Sequence, residues 1–188
     1  TGEKKAGVTQ RSYNAYGAYE GVINIPETVT YQGIEYAVTE ILSSAFRTSK
    51  YLTEVNIPNT ITRIGTLAFS ECDSLEKVTI PESVKYILSN AFSKSQSLKN
   101  INIPNSVTEI GDYAFCGCSG LTNINIPNSV TKIGLYAFSD CSGLTNINIP
   151  NYVTIIEHGV FSGCSGLTNI NIPNSVTEIW LYAFSDCS

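Results

Sequence analysis

Six cysteines and one histidine are the residues of this chain that could bind a metal ion or act as nucleophiles. Cys116-Gly-Cys118 does not have the spacing of a Cys-x-x-Cys zinc pair, and His158 is the sole histidine. We therefore predict no metal site and no cofactor. The other cysteines recur at one position of a 23-residue period: Cys72, Cys118, Cys141, Cys164 and Cys187.

The recurrence raises the question of disulfides. Equivalent residues of stacked parallel strands lie about 4.8 Å apart, which a disulfide could bridge by Cα distance alone. The Cα–Cβ bonds should however be parallel, and Ser49 and Ser95 occupy the same position without interrupting the period. We expect a ladder of buried thiols that pack as small apolar groups, with disulfides as the alternative.

No catalytic arrangement can be assembled from these residues. His158, beside Glu157, is expected on a solvated outward turn, and no partner residue is marked for a Ser-His-Asp or Cys-His group. The Ser-Gly pairs are not followed by a helix, as a phosphate-binding loop would require. The sequence predicts a protein that is not an enzyme. Three tyrosines at one repeat position are expected to pack along a rim rather than form a sugar platform: Tyr113, Tyr136 and Tyr182.

The composition excludes two classes of partner. The net charge is −5, and charged residues make up 14% of the 188 residues, against a usual value of about 25%. Because there is no basic patch, we expect binding neither to nucleic acid nor to an anionic membrane surface. No apolar run approaches the ~20 residues that span a bilayer, so no membrane insertion is expected.

The elements that position these side chains follow from the period itself. Prolines recur every 23 residues from Pro58 to Pro173, and a fixed period of this length indicates a solenoid. Each copy begins with Leu-x-x-Ile-x-Ile, a strand that the proline ends. A second apolar pair, such as Val107 and Ile110, predicts a short second strand. Ala-Phe then follows in a segment long enough for one helical turn, and the phenylalanines should stack as the spine of the core.

Both ends of the chain depart from the period. Residues 1–20 are expected to be loose, and the solenoid to span residues 21–188, with a capping first repeat at 21–51. Alternation around Gln32-Gly33 predicts a β-hairpin over 29–38 that caps the core together with Tyr13, Tyr16 and Tyr19. The chain stops within a repeat, so we expect a piece of a longer protein whose open end self-associates or continues. The apolar residues left uncovered there would be Leu167, Ile170, Ile172, Ile179, Trp180, Leu181 and Phe184.

The pattern Leu-x-x-Ile-x-Ile-Pro-x-x-Val-x-x-Ile-x-x-x-Ala-Phe-x-x-Cys resembles the BspA-like leucine-rich repeat, the treponemal-type variant of 23 residues. The resemblance covers residues 21 to the end, with local departures at Val160, Glu157 and Trp180. It implies a curved, all-β-rich parallel solenoid on a secreted or cell-surface protein, usually bacterial, with a role in adhesion to host matrix proteins or other cells.

The remaining candidate for binding is the outward face of the first strands, which we expect to be concave. The residues of this face are charged in the early repeats and uniform in the later ones. A protein ligand would therefore find more distinguishing side chains in the N-terminal half. The candidate binding residues are Glu54, Asn56, Glu76, Lys77, Thr79, Lys99, Asn100, Asn102, Thr122, Asn123, Asn125, Thr145, Asn146, Asn148, Thr168, Asn169 and Asn171.

Three functions remain open for this face. The preferred one is protein–protein interaction or adhesion. The alternative is a structural stalk or spacer, which the near-identity of four copies favours, with the binding determinants elsewhere. Glycan binding by the Thr/Asn lattice ranks lowest, because that face shows no aromatic residue in the sequence pattern.

Overall fold

The computed structural model describes residues 4–9 and 19–187, and within these it consists of sixteen strands joined by turns. The first strand of each repeat lies on one side of the solenoid: β2 (Glu20–Asn24), β5 (Tyr51–Asn56), β7 (Lys77–Thr79), β9 (Asn100–Asn102), β11 (Asn123–Asn125), β13 (Asn146–Asn148) and β15 (Asn169–Asn171). The second strands are β4 (Ile34–Ile41), β6 (Arg63–Ile64), β8 (Tyr86–Ile87), β10 (Glu109–Ile110), β12 (Lys132–Ile133), β14 (Ile155–Ile156) and β16 (Glu178–Ile179). Two further strands, β1 (Lys5–Val8) and β3 (Thr28–Tyr31), belong to the N-terminal end.

Both strand sets pair in parallel with a register of one repeat. Asn123 of β11 lies opposite Asn100 of β9, and Glu109 of β10 lies between Tyr86 of β8 and Lys132 of β12. The second strands form a continuous sheet from β4 to β12, whereas the first strands pair in three groups, β2-β5-β7, β9-β11 and β13-β15. The prediction of a parallel solenoid with short second strands is confirmed.

A third ladder runs through the Ala-Phe segments, where we expected a single helical turn. No helix occurs in the described ranges, and these segments are successive turns. Two residues per repeat, such as Leu67 at φ 58° and Glu71 at φ 59°, have left-handed backbone conformations that end a right-handed helix. Alternate N–H groups therefore bond to the next repeat, as when Phe69 N–H donates to Ala91 O at 2.7 Å.

The core is a stack of identical layers. Phenylalanine rings lie one above the other along the solenoid with centroids 5.0–5.7 Å apart and planes within 10° of parallel. We call them the Phe column: Phe46, Phe69, Phe92, Phe115, Phe138, Phe161 and Phe184. The leucine, isoleucine and valine side chains of both strand sets surround the column and are buried with it. The sequence prediction of a phenylalanine spine is thus confirmed.

The N-terminal end has the predicted hairpin and one of the predicted tyrosines. The hairpin exists, since β3 pairs antiparallel with β4 around Gln32 and Gly33, both with positive φ. The side chains of its first strand are exposed, and the ring of Tyr19, 4.8 Å from that of Phe46, covers the end of the Phe column. Tyr13 and Tyr16 lie outside the described residues.

The expectation of a loose segment over residues 1–20 is wrong for Lys5–Val8. These residues form β1, which pairs in parallel with β4 and adds a strand beyond the first repeat. Ala37 N–H donates to Lys4 O at 3.0 Å and Leu42 N–H donates to Val8 O at 2.9 Å, so both ends of β1 are fixed. Val8 packs partly buried against the core.

The C-terminal end is open, as the sequence predicts. Leu181 is 66% exposed and Trp180 39%, and Ile170, Ile172 and Ile179 are exposed as well. Leu167 and Phe184 are more covered, since Leu167 is buried and Phe184 stacks on Phe161. In the part of the chain that is described, no helix is long and apolar enough to cross a membrane.

Candidate functional site

The outward side chains of the first strands form a continuous surface, which we call the strand face. Between them, the inward residues Val55, Val78, Ile101, Ile124 and Ile147 are buried. Fifteen of the seventeen predicted binding residues are exposed on this face, and Glu54 and Asn56 are partly buried. Strand alternation accounts for pairs such as Asn123 and Asn125, and the candidates directly before a strand, such as Thr122, are exposed as well.

The N-terminal part of the strand face, on β2, β5 and β7, is chemically mixed. Lys77 Nζ donates to Glu54 Oε1 at 2.8 Å, and this hydrogen bond lowers the pKa of the Glu54 carboxyl below its ordinary value. Tyr51 is 73% exposed on β5, and Val22 is 56% exposed on β2 opposite Glu54. An exposed aromatic ring and an exposed aliphatic side chain thus lie on the same paired strands as a member of the ion pair.

Tyr51 and Val22 were missed by the sequence analysis. The signal was available for Tyr51, because the equivalent positions of the next repeats hold Ser74 and Ser97 and the later ones hold glycine. Those glycines are required by a close approach, since a Cβ at Gly143 would lie 2.5 Å from Ser119 O. Only the first repeats can therefore carry a side chain at this corner without a shift of the backbone.

The C-terminal part of the strand face, on and directly before β11, β13 and β15, presents threonine and asparagine as its outward residues. Asn169 Nδ2 donates to Asn146 Oδ1 at 3.0 Å, and Thr168 Oγ1 donates to Thr145 O at 3.2 Å. Asn146 Nδ2 also donates to Thr145 Oγ1 at 3.0 Å. Some of the hydrogen-bonding capacity of this lattice is thus used within and between neighbouring repeats.

Beside this lattice, where the first strands end, lies a shallow polar groove that sequence reasoning did not find. The Asn-Ile-Pro-Asn segments of successive repeats form it, with a volume of about 380 Å³ in the central part and about 420 Å³ in the adjoining part. We call it the amide groove, and its asparagines are Asn105, Asn125, Asn128, Asn148, Asn151, Asn171 and Asn174. The recurrence of Asn-Ile-Pro-Asn in four consecutive repeats, from residues 102–105 to residues 171–174, was its visible signal.

The ladder cysteines are not merely apolar filler. Each Sγ lies 3.0–3.2 Å from the carbonyl oxygen of the phenylalanine in the preceding repeat, and Ser95 Oγ donates to Phe69 O at 2.7 Å in the same way. The position therefore requires a small buried donor, which explains the exchange between cysteine and serine. All six cysteines are free thiols in the structure.

Burial makes these thiols poor nucleophiles. It raises the pKa of Cys72, Cys118 and Cys164 to about 12 and that of Cys141 well above its ordinary value. Because the thiolate is the reactive and metal-binding form, the ladder is chemically inert at neutral pH. No group of three or more potential metal ligands occurs in the residues that the structure describes.

The other candidate side chains are engaged in packing. His158 is half-buried rather than solvated, because its ring packs 5.0 Å from that of Trp180 in the next repeat. The rings of Tyr113 and Tyr136 stack on each other at 5.2 Å, so their facing surfaces are occupied. Gly159 leaves room for Tyr136, since a Cβ there would lie 2.2 Å from its ring.

Comparison with known proteins agrees with the repeat architecture described above. The BspA type Leucine rich repeat region, with six copies, matches residues 23–145 and 86–188. A leucine-rich repeat protein from Bacteroides ovatus is similar at 34% identity with a TM-score of 0.68, over 89% of this chain and 49% of that one. A leucine-rich repeat protein of T. pallidum is similar at 32% identity with a TM-score of 0.78, over 84% of this chain and 72% of that one.

No curated protein matches the sequence. The chain spans about half the length of the Bacteroides ovatus protein, so properties of such longer proteins are not transferred to it directly. The matched residues cover nearly all of the described solenoid, and the resemblance seen in the repeat pattern is therefore confirmed. The chain belongs to the BspA-type leucine-rich repeat family.

Proposed function

We propose that this chain is a non-enzymatic adhesion module of a secreted or cell-surface bacterial protein, and that it binds a protein partner through the N-terminal part of the strand face. Leucine-rich repeat proteins of this kind are generally binding modules, which supports a binding function rather than an enzymatic one. The specific site is argued from the surface chemistry of β2, β5 and β7.

The observation that carries the proposal is the exposed ring of Tyr51 on β5, the strand that also holds Glu54 of the Glu54–Lys77 ion pair. Protein interfaces gain most of their binding energy from a few aromatic residues and arginines that a polar rim surrounds. Glu76 and Lys99 are exposed directly before β7 and β9 and add charged groups to this surface. The Asn/Thr lattice of the later repeats lacks such an anchor, and it extends the face without distinguishing one partner from another.

The proposal is tested by surface plasmon resonance on a panel of immobilised extracellular matrix proteins. Tyr51→Ser installs the residue of the next two repeats, so the fold is expected to remain intact while binding weakens at least tenfold. Asn123→Ala, on the uniform part of the face, is the matched control and should leave binding unchanged. Equal binding by Tyr51→Ser and the original chain would refute the site.

The double variant Glu54→Lys with Lys77→Glu refines the test. It keeps an ion pair across β5 and β7 but reverses the charge pattern that a partner meets. A partner that recognises this pattern should lose affinity although the stability is unchanged. A stalk without its own binding site predicts instead that the chain binds none of the immobilised proteins.

A further inference from the structure

We infer that the amide groove is a second binding site, and that its ligand is a neutral polysaccharide with an extended backbone that lies along the solenoid axis. This site is separate from the protein-binding surface on β2, β5 and β7. The inference rests on the free side-chain amides of the groove, on its lack of charge and on one exposed tyrosine, and it does not depend on the proposed function.

The amides of the groove are available to a ligand, unlike those of Asn146 and Asn169 on the neighbouring lattice, which are hydrogen-bonded. Within the described chain, the side chains of Asn105, Asn125, Asn148, Asn151 and Asn171 make no hydrogen bond, while Asn128 Oδ1 accepts one from Asn151 N–H at 3.1 Å. A carboxamide offers two donors and one acceptor oxygen, and a sugar hydroxyl both donates and accepts. The free amides can therefore bind hydroxyl groups without any charge compensation.

No charged side chain lines the groove. The groove begins at the repeat of Asn105, because the preceding repeat carries Thr79 and Glu82 at the positions of the two asparagines. A charged polymer would have no counter-charge here, which is why a neutral ligand fits better than an acidic or basic one. Four consecutive repeats at about 4.8 Å each give a groove long enough for an oligosaccharide rather than a single sugar.

Tyr152 supplies the aromatic surface on which a sugar ring can stack. It is 67% exposed and directly follows Asn151, which lines both parts of the groove. The equivalent Ser175 lines the groove in the next repeat, which places this repeat position at the edge of the groove. An aromatic ring beside a few convergent polar groups is typical of small-molecule sites.

Tyr152 also replaces a residue with a structural role. In three other repeats a serine at this position donates to the preceding repeat, as Ser106 does to Val84 O at 2.6 Å and Ser175 to Val153 O at 2.8 Å, whereas Ser129 makes no such bond. Tyr152 lacks that hydrogen bond and exposes its ring instead. The ring is therefore accessible to a ligand.

The experiment is native electrophoresis of the whole chain in gels that contain hydroxyethylcellulose, galactomannan, arabinoxylan or, as the charged comparison, polygalacturonate. We expect at least one of the three neutral polysaccharides to retard the protein and polygalacturonate not to do so. Retardation by polygalacturonate alone, or by none of the four polymers, would overturn the inference.

Two variants locate the site. Tyr152→Ser restores the serine of the other repeats, so the fold should be retained while the apparent affinity falls at least tenfold. Asn148→Ala should weaken retardation as well, whereas Asn59→Ala, at an exposed position outside the groove, should not. Retardation of both groove variants equal to that of the original chain would place any binding elsewhere. Tyr51→Ser should leave the retardation unchanged, which separates this site from the proposed protein-binding surface.

Discussion

The Phe column and the strand face repeat with the same 23-residue period, but they tolerate different amounts of change. Every repeat places a phenylalanine in the column, and the cysteine position beside it accepts only cysteine or serine. On the strand face, equivalent positions hold Glu54, Lys77, Asn100 and Asn123. The residue type thus recurs with the period where a side chain is buried or bonds to the next repeat. Where a side chain faces solvent, only its position recurs and the residue type varies. Stability and recognition should therefore separate between the two regions.

The largest effect is expected inside the Phe column. Phe115→Ala should lower the free energy of unfolding by about 3–5 kcal/mol, because a fully buried ring between Phe92 and Phe138 is lost and a cavity remains. Asn123→Ala on the strand face should change it by no more than about 0.5 kcal/mol. Urea unfolding measures both. A loss below about 1 kcal/mol for Phe115→Ala would contradict the separation.

High pH should destabilise the fold through the thiol ladder. The pKa of Cys118 is about 12 in the folded chain against an ordinary value of 9.0, so between these values the unfolded state has bound fewer protons. Stability is then fully present below about pH 9 and decreases as the pH rises, by up to about 1.4 kcal/mol per pH unit for each such thiol. Urea unfolding from pH 8 to pH 11 should show this slope, and a smaller one for Cys118→Ser. Parallel curves for the two proteins would contradict it.

The hydrogen bond of the Cys118 thiol should contribute less to the free energy of unfolding than the burial of the side chain. Cys118→Ser keeps a donor toward Phe92 O, as Ser95 does toward Phe69 O, and should cost little at pH 7. Cys118→Ala removes the donor and should cost about 1 kcal/mol more, since Phe92 O still accepts from Ser95 N–H. If alanine proved as stable as serine, the position would require only a small side chain.

How far the sequence predicts this structure depends on whether a feature lies within one repeat or between repeats. The Pro, Phe and Gln32-Gly33 patterns are local and predicted the strands, the core column and the hairpin. The pairing of β1 with β4 could not be predicted, because Lys5–Val8 shows no period and its partner lies some thirty residues away. The left-handed conformations of Leu67 and Glu71 could not be predicted either, because neither residue is a glycine.

The candidate site divides in the same way. The repeat pattern placed the seventeen candidate binding residues on one face, but it could not show which amides were already bonded between repeats. The thiol donors and the amide groove both arise from contacts between consecutive repeats. The residue spacing within a single repeat does not predict those contacts. Tyr51 and Tyr152 were recognisable in principle as single departures from a serine or glycine position.

The two ends of the solenoid provide a further contrast, since Tyr19 covers one end of the Phe column and the other end exposes Trp180 and Leu181. We expect self-association through this apolar surface and the unpaired edge of β15, seen by light scattering as a mass that rises with concentration. Trp180→Glu should reduce the association, whereas Tyr86→Glu, an exposed aromatic on the side of the solenoid, should not. A constant monomeric mass for all three proteins would contradict the prediction.

The smallest effect on stability is expected at the Glu54–Lys77 pair, which tests whether the strand face tolerates substitution. Lys77→Ala should return the pKa of Glu54 upward toward its ordinary value, because the hydrogen bond that lowers it is removed. A carboxyl with a lowered pKa stabilises the fold above its ordinary pKa, and this contribution is lost as the pH falls. Since water and salt screen this exposed pair, the urea midpoint at pH 7 should not change measurably. NMR titration of the Glu54 carboxyl and urea unfolding of the same variant check the two statements together. A marked loss of stability would mean that strand-face residues also constrain the fold. The pair would then be required for packing and could not vary freely for recognition.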